Sequence, residues 1–247
     1  MRRFVADASH ELRTPLTSIR GFAELHRQGA VTDPAEMSEL LARIEDEATR
    51  MGLLVDDLLL LARLDQERPL TVDSVDLTGV VGSAVAGARA AQPERSVEVE
   101  VADESDLTVS GDEPRLRQVV TNLLDNALAY SPPESPVTVR LGPSRRGDSD
   151  FVTIEVVDRG PGLTAEQSER VFERFYRVDA ARSRAQGGTG LGLSIVAAIV
   201  RAHGGSVEVD TTPGEGATFR VLLPRAAIAH PPPPQPRPSP EPTPASG

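Results

Sequence analysis

Between residues 37 and 62 the chain carries an unbroken apolar repeat that leaves few alternatives to a long helix. Apolar side chains recur there at alternating steps of four and three residues, at Met37, Leu41, Ile44, Ala48, Met51, Val55, Leu58 and Ala62. This is the spacing of a helix that packs along other helices. Asp33 and Pro34 provide an N-cap and a first helical residue, and Glu36 completes a variant of the capping box. At 1.5 Å per residue the predicted helix is about 45 Å long.

A second apolar stripe precedes this helix and predicts a helical hairpin. Its members are Val5, Ala8, Leu12, Ile19 and Phe22, and the helix that carries them extends from about Arg3 to Arg27, where Gln28 and Gly29 end it. Two helices of this length are unable to cover a wide apolar stripe by themselves. We therefore expect two hairpins to pair into a four-helix bundle, which makes the protein a homodimer. In the heptad of the first helix His10 takes position f and faces solvent.

After Pro69 the pattern changes to that of an α/β domain. Helical periodicity marks residues 77–91, 112–130 and 191–202, and alternating or apolar runs predict strands at 96–102, 107–110, 137–141, 151–157, 206–210 and 217–223. The expected fold class is α+β, with the dimeric helical bundle followed by helices on one face of a largely antiparallel sheet. We predict a helical domain at 1–68, an α/β domain at 69–226 and a disordered, proline-rich tail at 227–247.

Composition excludes several function classes. The net charge of −11 argues against nucleic acid as a main partner, and the absence of cysteine excludes disulfides and thiolate chemistry. The chain has no lysine, because all 26 basic residues are arginine, and this excludes a P-loop lysine or the strand lysine of protein kinases. No apolar run approaches the roughly 20 residues of a membrane span. The tail could bind a proline-reading domain, but a solvated terminus is the favoured interpretation.

Four stretches of the α/β part carry residues suited to chemistry, although each is weak alone. NLLDNALAYS places Asn122 and Asn126 on one helix face, where amide oxygens could hold Mg²⁺. DRGPGL begins with Asp158 at the end of a strand and is otherwise an ordinary turn. FERFYR spaces its aromatic residues as on a packed helix face. GGTGLGLSIV leads into a helix and leaves backbone N–H groups available to phosphates, but it is not the G-x-G-x-x-G pattern of dinucleotide-binding folds.

In this order, and after SHELRTPL around His10, these stretches resemble the H, N, G1, F and G2 boxes of bacterial two-component sensor histidine kinases. The resemblance covers roughly residues 2 to 225. It implies a HisKA-type dimerisation and phosphoacceptor domain, followed by the ATP-binding Bergerat (GHKL) fold shared with gyrase, Hsp90 and MutL. That fold binds ATP without a P-loop lysine, in agreement with the missing lysine.

The resemblance implies catalytic roles for three residues of the first helix. His10 is the expected phosphoacceptor, Glu11 the acceptor of a proton from its ring, and Thr14 the residue that orients water for dephosphorylation of a partner. Pro15 lacks the N–H that would bond to the Glu11 carbonyl and is expected to bend the helix.

The same resemblance implies a site for ATP and Mg²⁺. Asn126, assisted by Asn122, is the expected metal ligand, and Asp158 is expected to accept a hydrogen bond from the adenine amino group. A lid at about 163–186 would close over the phosphates, with Arg177 and Arg182 near the γ-phosphate. The further nucleotide-binding residues are Tyr130, Gly160, Gly162, Gly188, Thr189, Gly190, Leu191 and Gly192.

The leading interpretation is an ATP-dependent protein-histidine kinase that phosphorylates His10 and transfers the phosphoryl group to an aspartate of a response regulator. A second interpretation makes it mainly a phosphatase of that regulator, and a third makes it a catalytically silent, nucleotide-binding scaffold. Ala129 supports the third, because many family members have a basic, phosphate-binding residue at this position. We expect a cytoplasmic fragment of a membrane-bound sensor, connected to the membrane only through upstream segments, with a naturally short kinase as the alternative.

Overall fold

The computed structural model describes residues 2–65, 72–102, 107–178 and 189–226. It begins with a helical hairpin of α1 (Arg2–Arg27) and α2 (Pro34–Leu64). Gly29, at φ 69°, follows α1, and the Asp33 carboxylate caps α2 by accepting hydrogen bonds from two backbone N–H groups of its first turn. Both predicted helices are confirmed, and α1 continues through Pro15.

The apolar repeat of α2 forms two stripes. Met37, Ile44, Met51 and Leu58 are partly buried, whereas Leu41, Ala48 and Val55, each seven residues from the next, are exposed. Leu41 is 51% and Val55 41% exposed to solvent. A single chain therefore covers one stripe and leaves the other open.

The described residues of the α/β part form two sheets. Strands β1 (Asp73–Asp76) and β3 (Thr108–Gly111) pair antiparallel in a small two-stranded sheet. The larger sheet has the order β2-β4-β5-β7-β6, in which only the β2–β4 pair is parallel. Its strands are β2 (Val97–Val101), β4 (Val137–Arg146), β5 (Ser149–Asp158), β6 (Ser206–Thr212) and β7 (Gly216–Pro224). The predicted, largely antiparallel sheet is confirmed.

Helices cover one face of the large sheet and form the core with it. They are α3 (Leu77–Ala91), α4 (Glu113–Tyr130) and α6 (Gly192–Ala202), while the short α5 (Ala165–Arg170) follows β5. The end of α2 also joins this core, because Leu54, Leu60 and Leu61 are buried in the same apolar cluster as the sheet. The hairpin and the α/β part therefore pack against each other, with α2 in contact with α6.

Two details differ from the sequence interpretation. The pattern did not indicate β1 or α5, each of which is only a few residues long. The stretch 172–177, whose aromatic spacing is typical of a helix, forms turns instead, and Phe175 adopts φ 62°. A positive φ is unfavourable for a residue with a side chain and interrupts any helix.

The opposite face of the large sheet carries a row of alternating charges that crosses all five strands. Glu100, Arg140, Glu155, Arg220 and Glu208 occupy consecutive paired positions in the register. We call this row the charge ladder. Arg140 lies 2.7 Å from Glu100 and Arg220 lies 2.6 Å from Glu155, while Glu208 also binds Arg146 at 2.6 Å. These pairs raise the pKa of Arg140 and Arg146 and lower the pKa of Glu208.

Candidate functional site

A cavity of about 980 Å³ opens where α4, the chain after β5, the segment before α6 and the second half of α2 meet. This volume is at the upper end of the range of ligand pockets. The predicted site residues in its wall are Asn122, Asn126, Tyr130, Asp158, Gly162, Arg177, Thr189, Gly190 and Gly192. The structure therefore brings together residues that lie far apart in the sequence.

Helix α4 presents its polar face to the cavity. The other face, with Val119, Val120, Leu123, Leu124 and Ala127, is buried in the core, as the spacing predicts. The Asn122 side-chain N–H donates to the Gly192 carbonyl at 3.2 Å, so its carbonyl oxygen is the atom left for a ligand. Asn126 lies one turn later on the same face. Two amide oxygens so placed fit a hard cation.

Asp158 ends β5 and is only 5% exposed. Its Oδ1 accepts hydrogen bonds from the backbone N–H groups of Gly160, at 2.7 Å, and Ala217, at 3.3 Å. Burial raises the pKa of this carboxyl group, although both hydrogen bonds oppose the shift. Because the two bonds fix the carboxylate through Oδ1, Oδ2 is the oxygen that can accept from an amino group in the cavity.

Two glycines after Asp158 let the chain turn tightly beside the cavity. A Cβ on Gly160 would lie 3.0 Å from the Tyr130 carbonyl oxygen. Gly162 has φ 66°, and a Cβ there would overlap the carbonyl oxygen of Thr212. Gly160 itself is buried beside Asp158, and its N–H supports that carboxylate.

The glycine-rich segment before α6 supplies another wall. Gly190 has φ 72°, and a Cβ there would lie 3.1 Å from both Arg177 Nε and Phe175 Cα. The Gly190 carbonyl accepts a hydrogen bond from Phe175 N–H at 2.9 Å, which connects this segment to the stretch 172–177. Leu191 is also a predicted nucleotide contact, and its side chain is fully buried in the apolar core. Arg182 and Gly188 lie outside the described residues.

Arg177 connects the cavity to α1. Its side chain is 8% exposed, and Nη2 donates to Glu11 Oε2 at 2.8 Å. Its Nε is buried without a hydrogen-bond partner in the part of the chain that the structure describes. A buried donor of this kind is costly unless a ligand can accept from it. Arg177 therefore belongs both to the cavity and to the contact with the hairpin.

The three predicted catalytic residues of α1 lie outside the cavity wall. His10 is exposed, as position f predicts, and the neighbouring Glu11 reaches Arg177. Thr14 is exposed one turn later, and its hydroxyl donates to the His10 carbonyl at 3.4 Å. In this arrangement the Glu11 carboxylate is bound by Arg177.

Two acidic residues of the wall were missed by sequence analysis. Asp125 shares the polar face of α4 with Asn122 and Asn126, so its spacing was a usable signal, and burial raises the pKa of its carboxyl. Asp57 lies on α2, far from the other motifs in sequence. Burial raises its pKa to about 6, against a hydrogen bond with the Thr189 side chain that lowers it. No sequence pattern indicated this contact.

Comparison with known proteins agrees with this geometry. Residues 1–67 match the model of the His Kinase A (phospho-acceptor) domain, and residues 111–227 match that of the histidine kinase-, DNA gyrase B- and HSP90-like ATPases. The probable sensor histidine kinase TcrY of Mycobacterium tuberculosis is 46% identical over 91% of this chain and 46% of its own length. The chain thus spans about half the length of the curated relatives it matches.

Solved structures that resemble this chain are also histidine kinases. The mycobacterial sensor histidine kinase MprB is 33% identical, with a TM-score of 0.53 over 62% of this chain and 97% of its own. Full-length ShkA in complex with AMPPNP is 31% identical, with a TM-score of 0.62 over 90% of this chain and 45% of its own. Among the described residues, we find no helix with the length and hydrophobicity that crossing a membrane requires. The chain belongs to the family of two-component sensor histidine kinases.

Proposed function

We propose that the protein is an ATP-dependent histidine kinase that phosphorylates its own His10 and passes the phosphoryl group to an aspartate of a response regulator. The observation that carries this proposal is the Glu11–Arg177 ion pair, which holds the residue next to His10 against the wall of the cavity. The proposed nucleotide site and the helix that carries His10 are therefore in direct contact.

The nucleotide would lie along α4. Oδ2 of Asp158 would accept from the adenine amino group, while Tyr130, Gly162 and the segment from Thr189 to Gly192 would surround the rest. The relative ShkA binds AMPPNP, a molecule with the same purine and a similar triphosphate. Asn126 and Asn122 would hold Mg²⁺ through their amide oxygens, and the ion would neutralise phosphate charge when bound. Arg177 and Arg182 would offset the remaining charge.

In the reaction a ring nitrogen of His10 forms a bond to the γ-phosphorus of ATP, and the bond from that phosphorus to the oxygen retained by ADP breaks. The proton of the other ring nitrogen passes to the Glu11 carboxylate, which raises the nucleophilicity of the attacking nitrogen. Since Glu11 is paired with Arg177 in this arrangement, the pair has to separate before transfer.

The proposal includes the partners. The exposed stripe of α2 supports a homodimer, and the exposed position of His10 supports access by a response regulator. Thr14, exposed one turn after His10, supports an additional phosphatase activity toward that regulator. We retain domain boundaries of 1–68 and 69–226; the tail at 227–247 is outside the described residues. A cytoplasmic location beneath a membrane sensor stays a prediction.

The test is transfer of label from ATP labelled at the γ-phosphate, with Mg²⁺, to the wild type, His10→Gln and His26→Gln. His26 is a matched control, because it is also an exposed histidine of α1. We expect acid-labile, base-stable label in the wild type and His26→Gln and none in His10→Gln. Label that persists in His10→Gln would contradict the proposal. Nucleotide binding without label on any of them would favour the scaffold.

A further inference from the structure

Helix α2 contributes an acidic residue to a cavity that is otherwise built by the α/β part. Asp57 and Leu53 of α2 face the same space as Asn122 and Thr189. The Asp57 carboxylate accepts a hydrogen bond from the Thr189 hydroxyl. The Thr189 oxygen in turn accepts from the backbone N–H of Leu191 at 3.3 Å. The Asp57 carboxylate therefore binds the Thr189 hydroxyl at the amino end of α6. The amino end of a helix attracts anions.

The charge of Asp57 opposes a nucleotide triphosphate there. A second anion at the same helix end would compete for the same donors and be repelled by the carboxylate. The other charged or ionisable groups of the wall are Asp125, Asp158, Arg117 and Arg177, and Arg177 is already engaged by Glu11. While α2 is docked, the cavity thus holds a negative charge where phosphates need a positive or neutral surface.

Apolar packing of Leu54, Leu60 and Leu61 and a few polar contacts hold the hairpin against the α/β part. Within the described ranges, the Asp57–Thr189 bond is accompanied by two ion pairs between the hairpin and the α/β part, Glu11–Arg177 and Asp65–Arg174. Arg174 lies 2.7 and 3.0 Å from the two oxygens of Asp65, whose side chain is 51% exposed. The exposed Asp65–Arg174 pair contributes little, typically about 0–1 kcal/mol, whereas Arg177 in the other pair is buried. A ligand that binds only the undocked cavity displaces α2 once its binding free energy exceeds the free energy of docking.

We propose that Asp57 is an affinity-setting residue of the nucleotide site, which competes with the triphosphate for the Thr189 end of α6 while the hairpin is docked. The inference rests on the proposed function. Its consequence is that nucleotide binding and hairpin docking oppose each other, and that binding releases the Glu11–Arg177 pair. Asp57 thus couples filling of the cavity to liberation of the proton acceptor next to His10.

The test is direct calorimetric titration of the full chain with AMPPNP and Mg²⁺, comparing wild type, Asp57→Asn and Asp56→Asn. Asp56 is the matched control, because it is an exposed neighbour outside the cavity wall and its substitution removes the same charge. We expect Asp57→Asn to bind about three- to tenfold more tightly, as removal of one like charge at a partly solvated site implies. Asp56→Asn should stay within about twofold of wild type.

A second variant separates competition from a local effect. Asp65→Asn weakens docking at a distance from the phosphates, so it should also tighten binding. Unchanged binding by Asp65→Asn, equal affinity of Asp57→Asn and Asp56→Asn, or weaker binding by Asp57→Asn would each overturn the inference. If the folded wild type and all three variants fail to bind AMPPNP, the proposed function is wrong at its nucleotide step. This result differs from failure of the inference, in which the proteins bind AMPPNP but Asp57→Asn does not bind it more tightly.

Discussion

Gly162 shows at the scale of one residue how closely the backbone approaches itself beside the cavity. Its φ is 66°, and a Cβ would overlap the carbonyl oxygen of Thr212. We predict that Gly162→Ala destabilises the α/β part by more than about 3 kcal/mol, because conformational strain and a backbone clash add. Thermal unfolding followed by circular dichroism measures this loss.

The control is Gly147→Ala in the turn between β4 and β5. Gly147 has a similar φ of 58°, but nothing lies within 4 Å of a Cβ there. Its substitution should cost only about 1–2 kcal/mol, the strain of the left-handed conformation alone. Equal losses in the two variants would show that the approach of Thr212 contributes nothing.

Residues whose role depends on local backbone were predictable from sequence. Asp158 follows a strand and precedes glycines, and Asn122 and Asn126 share one helix face, so their local positions could be expected, whereas their convergence on one ligand was implied only by the family resemblance. Asp57 was not predictable, because its role depends on how two parts of the chain pack together. The burial of the Leu191 side chain was not predictable either, because its neighbours are glycines while its own side chain packs in the core.

At the scale of elements, His203 fastens the end of α6 to the start of α4. Its Nε2 accepts a hydrogen bond from the Asp112 backbone N–H at 3.0 Å, and its Nδ1 donates to the Ile199 carbonyl at 2.8 Å. We predict that His203→Ala destabilises the fold by about 1–3 kcal/mol, because the Asp112 N–H loses its partner. Chemical denaturation of both proteins gives the difference.

For comparison, His26→Ala removes an exposed histidine of α1 and should change stability by no more than about 0.5 kcal/mol. His203→Gln offers an independent check, because its amide can accept from the same N–H and should recover part of the loss. No loss in His203→Ala would mean that water replaces the imidazole fully.

Most elements were predictable because their periodicity is strong. The helix 113–130 alternates buried and exposed faces along its whole length, and β5 alternates almost perfectly. By contrast, β1 has four residues and α5 buries none of its six, so neither leaves a pattern. At 172–177 the aromatic spacing imitates a helix, whereas contacts with Gly190 fix a turn.

At the scale of the whole molecule, the open stripe on α2 predicts the assembly. Leu41, Ala48, Val55 and Leu59 lie along one side of the helix and are exposed in the single chain. We predict that Leu41→Glu shifts the homodimer toward monomer by at least about tenfold in dissociation constant, since it places a charge in an apolar contact. Sedimentation equilibrium measures the constant.

Ala42→Glu is the matched control, because Ala42 is exposed on the same helix but about 100° away around its axis from Leu41. It should leave the dimer intact. Dissociation by both variants would indicate a general effect of charge, and dissociation by neither would contradict an interface along this stripe. The sequence indicated that the apolar repeat of α2 needs a partner. It did not indicate which of its residues pack within the chain and which remain exposed for that partner.

The charge ladder has a consequence for how the sheet assembles. β2 and β4 are parallel and distant along the chain, and such non-local pairing is slow and open to error. A strand shifted by one residue would set Val139 or Val156, rather than a charge, against the row. The ladder therefore acts as proofreading in two ways. Misordered strands that set Glu beside Glu or Arg beside Arg meet like charges, and strands slipped by one residue lose their ion pairs, so both separate more readily before the core closes over them.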